Sequence, residues 1–94
     1  MTTTTAAAAS VAATWWRLVT ELAGVLDAID ATQQRLRACA ARLTFAIRTE
    51  NVPRARRLHR RHERLRRRFR ALAIRRDNLE ENAANLSNPQ RHED

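Results

Sequence analysis

From Trp15 onward the apolar residues of this chain recur at alternating steps of three and four, and that periodicity limits what the chain can fold into. The first series runs through Trp15, Leu18, Leu22, Val25, Ile29, Leu36, Cys39, Leu43 and Ala46, with Thr32 filling the gap; Val19, Leu26, Ala40 and Ile47 widen it on one side. The second places Leu58, Leu65, Leu72, Leu79 and Leu86 seven residues apart, with His62, Phe69, Arg76 and Ala83 at the alternate seam position. Such spacing is that of an amphipathic helix carrying a coiled-coil-like stripe. One glycine and two prolines in 94 residues leave little from which to build β-turns. The chain therefore reads as all-α, with long amphipathic helices in a helical hairpin.

Pro53 is the clear punctuation mark, because it disfavours helical geometry at Val52 and is itself comfortable in a first helical turn. The seam leucines support a boundary there. Positions 22, 29, 36 and 43, extended by sevens, reach 50 and 57, one residue short of Leu58. The expected layout is a flexible tail over 1–10, one helical domain over 11–86 and a flexible acidic tail over 87–94. Within the domain lie a helix or helix pair over 11–50, a turn at 50–53 and an Arg-rich helix over 54–86. Ser10 and Thr14 are candidate caps, and Asp27–Gln34 is the candidate break if 11–50 is a pair. A turn at Asp30, with the Arg-rich part as a separate arm, is the alternative layout.

Apolar residues make up 44% of the chain and only four are aromatic, enough to bury a strip along a helix but not a thick core. Such a strip calls for a partner. Two seams predict homodimerisation into an antiparallel four-helix-bundle-like assembly, with Trp15, Leu18, Leu22, Val25, Ile29, Leu36, Leu43, Leu58, Leu65, Phe69, Leu72 and Leu79 as dimer or core residues.

Charge is partitioned along the chain. There are 18 arginines, no lysine and 10 acids, a formal net charge of +8, yet residues 54–76 alone carry twelve Arg against one Glu. With Leu58 and Leu65 at d and His62 and Phe69 at a, Arg occupies b (Arg56, Arg70), c (Arg57, Arg64), e (Arg66), f (Arg60, Arg67) and g (Arg54, Arg61, Arg68, Arg75). A solvated helix normally interleaves acids at i+4, and here only Glu63, facing Arg67, is available. An ordinary mixed-charge run is usually just a wet helix face; a run this one-sided points to a polyanion. Guanidinium groups bind phosphate in a planar, bidentate fashion and stay charged, which suits nucleic-acid backbones. No Asn or Gln lies between 54 and 77 to read adenine edges, so recognition by shape and phosphate fits better than base readout. In a basic leucine zipper the cationic stretch precedes the zipper, whereas here both occupy the same turns.

A lone Cys39 implies no intramolecular disulfide framework and a reducing setting, cytosolic or nuclear, of which the cytoplasm is the expectation taken. No window approaches the roughly 20 apolar residues of a membrane span, and the Thr/Ala start lacks the features of a secretory signal. His59 and His62 would need further ligands for zinc, so no metal or other cofactor is expected. No paired carboxylates, nucleophilic constellation or glycine-rich loop suggests catalysis or a small-molecule substrate.

Leu36-Arg37-Ala38-Cys39-Ala40-Ala41-Arg42-Leu43-Thr44 resembles the second helix of the nodavirus B2 proteins, small all-helical homodimers that bind double-stranded RNA and suppress host RNA silencing. The shared pattern is Leu, a polar or basic residue, Ala, Cys, two residues, then a basic residue, with Leu-Thr close behind. The resemblance implies that Cys39 and Arg42 contact RNA, with Arg35, Arg37 and Arg48 as neighbours, and that the protein acts in the host cytoplasm. An oligomerisation helix, a Pro-containing turn and an Arg-rich helix also look like lentiviral Rev, on composition alone.

The expected function is that of a homodimeric double-stranded-RNA binder without sequence specificity. From the Arg block Arg54, Arg57, Arg60, Arg61, Arg64, Arg67 and Arg68 join the five residues named above as candidate contacts. A coiled-coil adaptor whose Arg-rich helix meets an acidic protein is the alternative. Membrane-surface binding ranks third, because the block exposes few large apolar residues beside its Arg.

Overall fold

A computed structural model describes residues 2–87, with side chains from Ala7 onward. It contains helix α1 (Thr2–Arg48) and helix α2 (Val52–Ser87), joined by a three-residue turn into a helical hairpin. No residue between 2 and 87 lies in a strand.

α1 is a single helix, not a pair, and it begins well before residue 11. Residues 2–10, expected as a flexible tail, are helical: Ala6–Ala9 are the strongest helix formers, and elongating an existing helix costs far less than nucleating one. Ser10 and Thr14 are consequently interior rather than capping, and the Thr14 hydroxyl donates to the Ser10 carbonyl at 2.9 Å. Asp27–Gln34 does not break the helix either. Asp27 and Asp30 are exposed on its outer face, while Ile29 and Thr32 are buried. The Thr32 hydroxyl, in a residue only 2% exposed, donates to the Ala28 carbonyl at 2.7 Å and needs no other partner.

The turn spans Thr49–Asn51. Glu50 N–H donates to Ile47 O (3.1 Å) and Asn51 N–H to Ala46 O (2.9 Å), the two bonds of a Schellman cap. Glu50 holds the left-handed position with φ 56°, where glycine would be the unstrained choice. Asn51 then caps α2, its Oδ1 accepting from Arg54 N–H at 3.3 Å and its carbonyl from Ala55 N–H at 2.9 Å. Pro53 thus lies inside the first turn of α2, where its missing N–H costs nothing.

The chain divides into two compact units. The turn-bearing unit, Asp27–Ala73, packs the seams of the two helices against each other: Ile29, Thr32, Cys39 and Ala46 of α1 are buried, and Leu36, Leu43, Leu58, Leu65, Phe69 and Leu72 are half-buried. The other unit, Met1–Leu26 with Ile74–Asp94, buries Val25, Leu79 and Ala83, with Leu18 and Leu22 half-buried. Trp15 departs from the expected core, at 37% exposed; it lines an open groove to which, among the described residues, α2 contributes Leu86 and Ser87. The seams expected to recruit a partner are therefore engaged within the chain. The tail expected over 87–94 lies outside the described residues apart from Ser87, which is helical.

Candidate nucleic-acid interface

In α2 every arginine from Arg54 to Arg70 is exposed, and the helix offers them almost no counter-charge. Glu63 pairs with Arg66 at 3.3 Å, an i,i+3 contact, rather than with Arg67. Arg54, Arg56, Arg57, Arg60, Arg61, Arg64, Arg67, Arg68 and Arg70 have no carboxylate within 4.0 Å among the described residues, and the same holds for Arg35, Arg37, Arg42 and Arg48 of α1. Arg75 and Arg76 lie in the other unit, paired with Glu21 (3.8 Å) and Asp77 (3.1 Å).

Seam position decides which face each guanidinium occupies. Extending the heptad lettering to α1 puts Ile29, Leu36 and Leu43 at a and Thr32, Cys39 and Ala46 at d, so Arg35 and Arg42 are g residues, Arg37 is at b and Arg48 at f. In an antiparallel pair the g flank of one helix faces the g flank of the other. Arg35 and Arg42 therefore share a flank with Arg54, Arg61 and Arg68. Arg35, Arg42 and Arg61 do meet, around a pocket of about 160 Å³ whose remaining walls are Ala38, Cys39 and Leu58. Two arginines of α1 and one of α2, far apart along the chain, thus line one pocket.

The e flank of the same unit is different. Ala40 and Ile47 of α1 and Val52 of α2 lie on it, and an open groove of about 810 Å³ runs between the helices at the turn end, lined by Leu43, Ala46, Ile47, Val52 and Ala55 among others. Ile47 is 61% exposed and Val52 52%. The g flank of the hairpin unit is thus lined by arginine, whereas the groove on the e flank mixes exposed apolar residues with Glu50, Asn51, Arg56, His59 and Arg60.

Arg42 is exposed, whereas Cys39, which forms a wall of the pocket that Arg42 lines, is buried in the seam. It sits at d, 3% exposed, with its Sγ 3.4 Å from the Leu58 carbonyl, to which it donates. Its place is beneath the guanidinium groups, and direct contact with a duplex would require the seam to open. The stretch resembling the second helix of the B2 proteins lies here in the distal part of the first helix, with no loop before it. Sequence reasoning missed Arg56, Arg66 and Arg70 as candidate contacts, although all three are as exposed as the residues it chose. It also missed the pairing of Arg35 and Arg42 with Arg61.

Among the described residues no helix is long and apolar enough to cross a membrane, and no group of three or more His, Cys, Asp or Glu could hold a metal ion. Comparison with protein-family models, with curated proteins and with solved structures gives no match.

Proposed function

We propose that this chain is a homodimeric helical protein that binds double-stranded RNA through its phosphate backbone without reading base sequence. As the B2 resemblance implies, it would shield duplexes from the host silencing machinery in the cytoplasm. The observation that carries the binding role is the set of exposed arginines with no carboxylate within 4.0 Å among the described residues, of which Arg35 and Arg42 of one helix and Arg61 of the other line one pocket. Cations at this density destabilise an isolated helix by mutual repulsion, and a bound polyanion offsets that repulsion. Arginine's planar fork favours phosphate, and a rigid helical face with repeated cations suits a duplex read by shape.

Support for the dimer comes from the opposite flank. Ile47 and Val52 are largely exposed, and a second copy seated over the groove they line would remove them from water while leaving the Arg35, Arg42 and Arg61 flank free; Arg56 and Arg60, which also line the groove, would then lie at the interface.

A mobility-shift comparison of equal-length duplex RNA, duplex DNA and single-stranded RNA tests the reading. Duplex RNA should bind most tightly, independently of sequence, with affinity that grows with length and falls steeply with salt. Equal affinity for all three would overturn the duplex-RNA assignment. No salt-sensitive affinity for any of them would favour the coiled-coil adaptor.

A further inference from the structure

The space under Arg35, Arg42 and Arg61 differs in kind from the remaining cationic surface, because it is concave and bridges two helices. Arg35, Ala38, Cys39 and Arg42 stand at i, i+3, i+4 and i+7 and so form one stripe of α1; Leu58 and Arg61, three apart, close the pocket from α2. Alanine at 38 and cysteine at 39 keep the floor low. The Leu58 carbonyl, inside α2, accepts from the Cys39 thiol at 3.4 Å. The charged residues that line the cavity are three arginines with no carboxylate within 4.0 Å among the described residues.

Heptad position sharpens the point. The g flanks of paired helices normally carry opposite charges, which set partner and orientation. In the Met1–Leu26 with Ile74–Asp94 unit, g residues Glu21 and Arg75 do so, at 3.8 Å. In the Asp27–Ala73 unit the corresponding positions are Arg on both helices. A flank built only for pairing would hold an acid at 35 or 61. One that holds three arginines around a cavity leaves the counter-charge to come from outside.

We propose that the Arg35–Arg42–Arg61 pocket is a dedicated seat for one phosphate group. The inference rests on the polyanion-binding reading and goes further, assigning a discrete phosphate site where that reading needs only a diffuse field. An internal phosphodiester, a terminal phosphomonoester and free inorganic phosphate share the chemistry, tetrahedral oxygens with negative charge, that the three forks accept.

The test titrates inorganic phosphate against chloride at matched ionic strength into the full chain, reading the arginine Nε–Hε resonances. Those of Arg35, Arg42 and Arg61 should shift together on a single-site isotherm, ahead of the other arginines. Arg61→Gln should weaken phosphate binding about tenfold, as expected for loss of one charge-assisted contact, whereas Arg67→Gln, the same charge change at an f position, should leave it nearly unchanged. Arg35→Gln serves as the second variant, and helicity by circular dichroism checks that each folds. Equal weakening by Arg61→Gln and Arg67→Gln, or uniform movement of all arginine resonances, would overturn the pocket. Duplex-RNA mobility shifts on the same variants keep the two ideas apart: duplex binding with no phosphate-specific response removes the pocket and leaves the broader reading standing. Duplexes ending in 5′-phosphate or 5′-hydroxyl then separate a terminal from an internal source, a preference for the former assigning the pocket to chain ends.

Discussion

Replacing Arg35 with Glu should stabilise the hairpin and weaken duplex binding at the same time. Arg35 and Arg61 line one pocket from opposite helices, with no carboxylate within 4.0 Å of either among the described residues. A glutamate at 35 recreates there the arrangement of Glu21 and Arg75. An exposed ion pair contributes roughly 0.2–1 kcal/mol, and relief of like-charge repulsion a few tenths more, so the gain should be about 1 kcal/mol at low salt. For a chain of this size that raises Tm by about 4–8 °C. The gain should shrink in 1 M salt, where the Debye length falls to about 3 Å.

Binding should move the other way. The substitution deletes one phosphate contact and ties up Arg61, so the slope of log affinity against log salt should become shallower by roughly 1.8. Loss of two charge-assisted contacts should cost on the order of 100-fold in affinity at moderate salt. Thermal melts by circular dichroism and duplex-RNA mobility shifts across a salt series measure both. Arg37→Glu, an identical charge change at b with no arginine facing it, is the control and should stabilise less. A fall in Tm at low salt would show that Arg35 and Arg61 do not oppose each other. Stabilisation with an unchanged salt slope would place the g flank outside the ligand's path.

Three further outcomes test the frame around that site. Glu50→Gly should raise stability by about 1 kcal/mol, because glycine relieves the left-handed strain at φ 56°; urea midpoints should rise with m unchanged, and Glu50→Gln separates the effect of charge. Thr32→Val should change stability by less than about 1 kcal/mol, since the lost local hydrogen bond and the gained apolar burial are of similar size, while Thr32→Asp should cost roughly 3 kcal/mol or more. Ile47→Glu should convert a dimer to monomer in sedimentation velocity with helicity intact, because an exposed Ile47 contributes little to the hairpin; a dimer that persists would move the interface off the e flank.

The seam was legible in the sequence almost residue by residue, from Leu18 to Ala46 and from Leu58 to Leu79, because burial in a two-helix hairpin follows the 3.5-residue period that any amphipathic helix displays. Continuity of α1 was not. Asp27 and Asp30 look like a break when read as composition, yet at f and b they are what the outer face of a helix carries. Helix at residues 2–10 escaped notice because a Thr/Ala run has propensity but no period. Trp15 sits at a seam position of α1, but how far it is covered depends on which residues of α2 lie opposite it, which one helix's pattern does not encode. Cys39 and Arg42 fall within one short resembling motif, but the apolar series already puts Cys39 on the seam, and only the resemblance assigns it to the RNA face.

The meeting of Arg35 and Arg42 with Arg61 was illegible for a deeper reason, since it requires the phase of each helix and the antiparallel register between them. Once both are known, the flank has a thermodynamic meaning. Like charges that face each other lower the stability of the free hairpin, and whatever neutralises them only in the folded state restores it by mass action. A ligand at a hundred times its dissociation constant adds about 2.7 kcal/mol, more than the roughly 1 kcal/mol that Arg35→Glu is expected to recover. The wild-type chain should therefore melt below Arg35→Glu when free and above it when saturated with duplex. That crossing is the signature of a charge arrangement that serves binding, because a flank whose arginines were merely tolerated by the fold would leave the order of the two melting temperatures unchanged.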